Sequence, residues 1–468
     1  MVLFWCVMTA FLPGVGFGAP VGLVVVWGLT RLAARWLGVD SMPCRWTLVG
    51  AMAFLGAMLL VNLDFFCTAA GATPADPYIV NPDAARNWAQ IKAFASGLMP
   101  DGFFNYQAYG IIMSIPGRFL GLGGLLCVNA LMTMLAIVFT GRIARESAGF
   151  DGFCSMRVAM AAMLMTACVL NFMAAGTILL KDAMACAAFA AAVTGCLAMR
   201  RRCAAGEFPL AWLLLTLAAT ALAMLVRMRS LYMLVFAFLA LMPWTAGRRG
   251  GFRALWPFIA TLVFCVGGIV AMDCVGDMAD VTGDALDMDS PVVFSASPRG
   301  SSLTPFIEAY PTAPLWLKLV SLPFTLGLQL LLPLPWTFMR HFDYGPSMVL
   351  AHFGFPLYIE AGLVAYFLLF CIRRTPRALV VTTLAGFVLY AGIALLYGGT
   401  VSRYSLMLLP MLLPSAAWVA VVSLRERRLA GWMFVYGLVI LIALTVGYYY
   451  YSLAPAGNDL YCCVTSAG

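Results

Sequence analysis

The chain has 468 residues, of which 63% are apolar and 10% charged, and its mean hydropathy is +0.95. Soluble domains are about half apolar and about a quarter charged, so these figures exclude a water-soluble enzyme, a disordered chain, a collagen and a coiled coil. The 28 Lys and Arg exceed the 20 Asp and Glu by eight. In so apolar a chain that surplus reports the enrichment of short cytoplasmic loops in cations rather than a nucleic-acid partner.

Eighteen of the cations fall in six clusters: Arg31/Arg35/Arg45, Arg142/Arg145/Arg157, Arg200/Arg201/Arg202, Arg248/Arg249/Arg253, Arg373/Arg374/Arg377 and Arg425/Arg427/Arg428. All six are expected inside. The apolar stretches between them then alternate and predict an all-α polytopic transmembrane bundle of about twelve spans, a single integral membrane domain over 1–468 with both termini outside. The first span, 3–29, is interrupted by Pro13 and Pro20; a short hairpin there would put the N-terminus inside. Residues 1–30 show neither a basic start nor a small-residue cleavage site, so no cleaved signal peptide is expected. A second span follows at 46–66.

The first long extracytoplasmic loop is expected over 67–119. Asn81 followed by Pro82 is a helix start, with Asn as N-cap and Pro at the first helical position. Trp88, Ile91, Phe94, Ala95 and Leu98 then share one face at helical spacing, which predicts an amphipathic helix on the outer membrane surface. Asp83 lies in its first turn. It either complements the helix dipole or serves as a catalytic carboxylate at the interface.

Spans at 120–141 and 157–178 lead to Lys181-Asp182, an outer hairpin holding one of only three lysines in the chain. Asp182 begins the next span, 183–199, where dipole compensation again explains it. Between the spans 209–226 and 230–246 stand Arg227 and Arg229. Ionisable groups beside spans are costly and point to function; the structural alternative is an ion pair with Asp182 or snorkelling to the interface. A span at 255–272 follows.

The second long extracytoplasmic loop, 273–347, opens with Asp273, Asp277, Asp280, Asp284, Asp287 and Asp289, read as a solvated acidic loop without calcium-loop spacing. Residues 315–338 are apolar enough to span, but Pro323, Pro333 and Pro335 and the charge alternation make them re-entrant or interfacial. Spans at 348–372, which contains Glu360, and 378–397 lead to a Gly-rich outer hairpin holding Arg403 and Tyr404. Its glycines permit close approach to a ligand, and Arg403 can meet a phosphate through two donors. The last spans are 405–424 and 431–452. The 14 Cys are scattered, mostly within spans, and His341 and His352 are the only histidines, so neither a metal nor a cofactor is expected. Cys462 and Cys463 on the outer tail are placed to pair with another chain.

Asp83, Lys181, Asp182, Arg227, Arg229 and Arg403 thus fall on one side at similar depth. A carboxylate among cations suits a lipid-linked sugar phosphate: the cations hold the leaving phosphate and the carboxylate deprotonates an attacking hydroxyl. Four segments carry a resemblance to bacterial GT-C glycosyltransferases, similar to the protein mannosyltransferase and aminoarabinose transferase superfamily and to polytopic proteins encoded with exopolysaccharide genes. They are Asn81-Pro82-Asp83-Ala84, Leu179-Leu180-Lys181-Asp182, Leu334-Pro335-Trp336, and Gly399 to Tyr404 running into Leu409-Pro410. The resemblance spans most of 60–425, though Asp83 lacks the neighbouring acid of an Asp-Glu or Asp-x-Asp pair.

The resemblance implies a polyprenyl-phosphate-linked sugar donor, a glycan, lipid or protein acceptor, and Asp83 as base. It further implies a place in the bacterial inner membrane with the active face extracytoplasmic. Two other functions fit the outer charges: an O-antigen or exopolysaccharide polymerase or ligase, which needs no acidic base, and a transporter or flippase of lipid-linked saccharides, which should show internal repeats.

Overall fold

The computed structural model describes residues 18–68, 82–97, 108–150, 154–227, 230–242, 255–281, 310, 313–331, 355–397 and 405–453. Among these residues there is no strand. In chain order the helices are α1 (Gly18–Trp36), α2 (Met42–Thr68), α3 (Pro82–Ala95), α4 (Ala108–Ser147), α5 (Ser155–Cys168), α6 (Leu170–Ala175), α7 (Lys181–Ala204) and α8 (Leu210–Val226). They continue as α9 (Ser230–Leu241), α10 (Trp256–Val281), α11 (Leu315–Val320), α12 (Leu322–Leu331), α13 (Phe355–Tyr366), α14 (Arg377–Tyr397), α15 (Leu409–Val422) and α16 (Arg427–Leu453). Among the described residues six helices are long and apolar enough to cross a membrane: Met42–Leu63, Ala108–Ser147, Lys181–Ala204, Phe355–Arg374, Arg377–Leu396 and Arg427–Val446. Six apolar helices of 10–17 residues accompany them.

Over the described residues, each expected span from 46–66 onward is largely helical, and the expected bounds differ at several points. The first described helix runs to Trp36, not 29, and so includes Arg31 and Arg35. Helix α4 begins at Ala108, inside the expected first loop, because Tyr109 and Met113, four residues apart, are buried. It is two helices joined at Gly121, whose φ of 61° lies in the left-handed region that a side chain disfavours. The stretch expected as 157–178 breaks at Val169, which is extended. Helix α10 continues to Val281, so Asp273, Asp277 and Asp280 stand on its last turns rather than in a loop. No proline intervenes between Pro257 and Pro291 to stop it. Over its described residues, 315–331, the apolar stretch forms two short helices broken at Ser321.

Five of the arginine clusters meet at one end of the bundle. Arg142, Arg145 and Arg201 stand over the Phe150 ring at 4.4, 3.7 and 4.2 Å. Arg142 and Arg145 donate to the carbonyls of Leu37 and Gly38 in the α1–α2 turn. Trp36 stacks on Trp212 at 4.9 Å, which ties in the start of α8. Ala417 of α15 packs with Ala144, Ala148, Val158 and Ala162, and the Tyr366 hydroxyl donates to Glu426 at 2.9 Å, so the ends of α13 and α15 lie there too. Three of the described acids at this end are paired with arginines. Asp40 takes Arg31, Arg35 and Arg45, Glu146 takes Arg142 at 2.6 Å and Arg201 at 3.0 Å, and Glu207 takes Arg202. The cluster Arg248/Arg249/Arg253 lies outside the described residues. Helix α7 starts at the far end, since its 24 residues span about 35 Å at ~1.5 Å per residue.

Candidate functional site

The far end of α7 is built on a turn, Gly176 to Leu180, between α6 and α7. The carbonyls of such a turn lack the full helical ladder of donors, and away from water an unpaired carbonyl is costly. Three asparagines from three helices supply donors. The Asn62 amide of α2 donates to the Thr177 carbonyl at 3.0 Å. The Asn87 amide of α3 donates to Leu179 at 2.7 Å. The Asn129 amide of α4 donates to both Ile178 and Leu180, and its own oxygen accepts the Tyr109 hydroxyl at 3.1 Å. Four successive carbonyls are thereby satisfied, and α2, α3 and α4 are fastened to the start of α7.

Helix α3 forms over Pro82–Ala95 as its spacing predicts. Its apolar face is covered by protein: Ile91 and Phe94 are buried and Trp88 partly so. The partner is α4, which presents two glycines to it. A Cβ on Gly110 would stand 3.3 Å from the Phe94 ring, and one on Gly117 would stand 3.1 Å from Ile91 Cγ2. The Arg118 guanidinium caps the exit of α3 by donating to the Phe94 carbonyl at 3.2 Å. The helix is therefore docked on the bundle rather than laid only on a lipid surface. Asn81 and Leu98 lie outside the described residues, and Asp83 occupies the first turn, one turn ahead of Asn87.

Lys181 and Asp182 open α7, with Leu180 extended as N-cap. Asp182 is 3% exposed. Its carboxylate meets Arg227 Nη2 at 2.8 Å, which is the structural alternative weighed for these two residues. Arg227 is the C-cap of α8, and its carbonyl accepts the Ser230 hydroxyl at 2.6 Å. The acid thus sits at a helix N-terminus and the guanidinium at a helix C-terminus, where both dipoles favour the charges. Breaking such a pair strands a buried charge. Lys181, partly exposed, stands beside it as the first residue of α7.

The structure thus joins the helix of Asp83, the Lys181-Asp182 start and Arg227 at one end. Arg229, Arg403 and Tyr404 lie outside the described residues. Asn62, Asn87, Asn129 and Tyr109 were not anticipated, although an asparagine inside an apolar span is itself a signal, since it needs a partner there. Compared with protein-family models, curated proteins and solved structures, the chain matches none.

Proposed function

We propose that this chain is a membrane glycosyltransferase of about twelve spans in the bacterial inner membrane. It moves a sugar from a polyprenyl-phosphate-linked donor to a glycan, lipid or protein acceptor at the extracytoplasmic face. In this reading the Arg-rich end is cytoplasmic, as the bias of cations predicts, and the start of α7 faces outward. Asp83 takes the proton of the acceptor hydroxyl as that oxygen attacks the sugar. The bond from sugar to phosphate breaks, and the departing phosphate is held by Lys181, Arg229, Arg403 and the Tyr404 hydroxyl. Asp182 and Arg227, engaged with one another, position the α7 start.

The observation that supports this reading is the Asn87–Leu179 hydrogen bond, which fastens the helix of Asp83 to the turn preceding Lys181. A polymerase or ligase that grips a lipid pyrophosphate with Arg227 is served less well, because Asp182 already engages that guanidinium. The test is Asp83→Asn, assayed for sugar transfer in membranes of expressing cells. Transfer should fall by about 10²-fold or more, the scale of a lost general base, at unchanged protein level. Transfer at the wild-type rate would remove Asp83 as base.

A further inference from the structure

We propose that the α1–α2 turn at the Arg-rich end is a binding site for an anionic phospholipid. Three arginines converge there on one acid: Asp40 takes Arg31 at 2.8 Å, Arg35 at 3.4 Å and Arg45 at 3.0 Å. One carboxylate neutralises one guanidinium and leaves two positive charges in excess. Asp40 is also short of lone pairs for them. Each guanidinium carries five N–H donors, and the carboxylate is already shared among all three.

Beside this cluster an open groove of about 560 Å³ runs between α1 and α2, lined by Trp27, Arg31, Met42, Arg45, Trp46 and Val49. Four of the six lining residues are apolar, and the two arginines bring their charge to it. Trp46 is 65% exposed and Met42 68%. The Trp27 ring lies 5.8 Å from the Arg31 guanidinium, so the aromatic and charged parts of the groove adjoin.

An anion at one rim of an apolar groove describes an amphiphile with a phosphate head and an acyl chain. Basic pockets between membrane helices at the cytoplasmic face take such head groups, and tryptophans lie at that depth. A neutral lipid would leave the two surplus charges unmatched, and free phosphate would leave the groove open. Neither the candidate site at the far end of α7 nor the proposed activity is needed for this binding.

The full-length protein is delipidated in detergent and offered equal amounts of phosphatidylglycerol and phosphatidylcholine, and retained lipid is counted by native mass spectrometry. Wild type should retain phosphatidylglycerol in preference. The preference should fall about fivefold for each arginine removed in Arg35→Gln and Arg45→Gln. Both side chains are largely solvent-accessible, 66% and 49% exposed, so the lipid-free melting temperature should hold. Trp46→Ala, which keeps every charge, should lower retention of both lipids. Equal retention of the two lipids by wild type, or an unchanged preference in the Arg35→Gln/Arg45→Gln variant, overturns the proposal. Complete displacement of phosphatidylglycerol by millimolar inorganic phosphate would also overturn it, by making the surface a free-anion site.

Discussion

Helices α7 and α16 are both long and apolar enough to cross a membrane, yet they occupy opposite environments. The whole apolar stretch of α7 is buried, whereas only 6% of that of α16 is. The buried helix is the least hydropathic of the six candidate spans. Nine of its 24 residues are Ala, joined by three Cys, two Met and a Gly, and it packs against α4, α8 and α9. The outer helix presents Phe434, Val435, Val439, Leu441 and Ile442, all more than half exposed. In a bilayer large apolar side chains gain nothing by leaving lipid for protein, and small residues let backbones approach. Residue size, more than hydropathy, therefore separates the centre of this bundle from its rim. The central helix is also the one that carries charge at the end proposed as the site.

The largest test of that contrast lies in two glycines. A Cβ on Gly195 of α7 would meet Thr216 Oγ1 at 2.1 Å and the Trp212 carbonyl at 3.1 Å, while one on Gly437 of α16 would meet nothing within 4 Å. Gly195→Leu should cost about 3 kcal/mol or more through overpacking, seen as loss of the monodisperse peak in size-exclusion chromatography. Gly437→Leu should melt within about 0.5 kcal/mol of wild type. Equal effects would break the comparison.

The ion pair gives the next largest effect. Arg227→Met leaves Asp182 buried without its partner and should cost about 3 kcal/mol. The Asp182→Leu/Arg227→Met double variant should recover much of that in thermal unfolding. A double variant no better than the single would mean that the pair does not neutralise itself.

Asn129→Leu removes a second donor from the Ile178 and Leu180 carbonyls and the acceptor of the Tyr109 hydroxyl, for about 2 kcal/mol. Asn87→Ala removes one bond and should cost about 0.6 kcal/mol. Its sharper sign is faster hydrogen exchange over 84–95 with the other helices unchanged, because that amide is what joins α3 to the α7 start.

Much of this was legible in sequence. Apolar runs between arginine clusters place the helices, since a bilayer leaves few alternatives for the backbone. Asn81-Pro82 correctly announced α3, and Lys181-Asp182 a helix start. The grip on the turn at 176–180 was not legible, because its donors come from residues 49 to 115 positions away and no local period encodes such a meeting. The break at Val169 was missed for a related reason: a Val in an apolar run carries no stop signal. The apolar face of α3 was readable as a stripe, but whether lipid or protein covers it depended on Gly110 and Gly117, which lie beyond the helix in the next element.

The claim that chemistry sits at the outer end of the buried helix is tested most directly at Lys181. Lys181→Gln changes one partly exposed side chain and leaves the Asn clasp and the Asp182–Arg227 pair in place. Sugar transfer from a polyprenyl phosphate donor and melting temperature are measured on the same preparation. The account predicts a loss of transfer of about tenfold or more, corresponding to about 1.4 kcal/mol in the barrier, with melting unchanged. Wild-type transfer in a stably folded Lys181→Gln protein would contradict it.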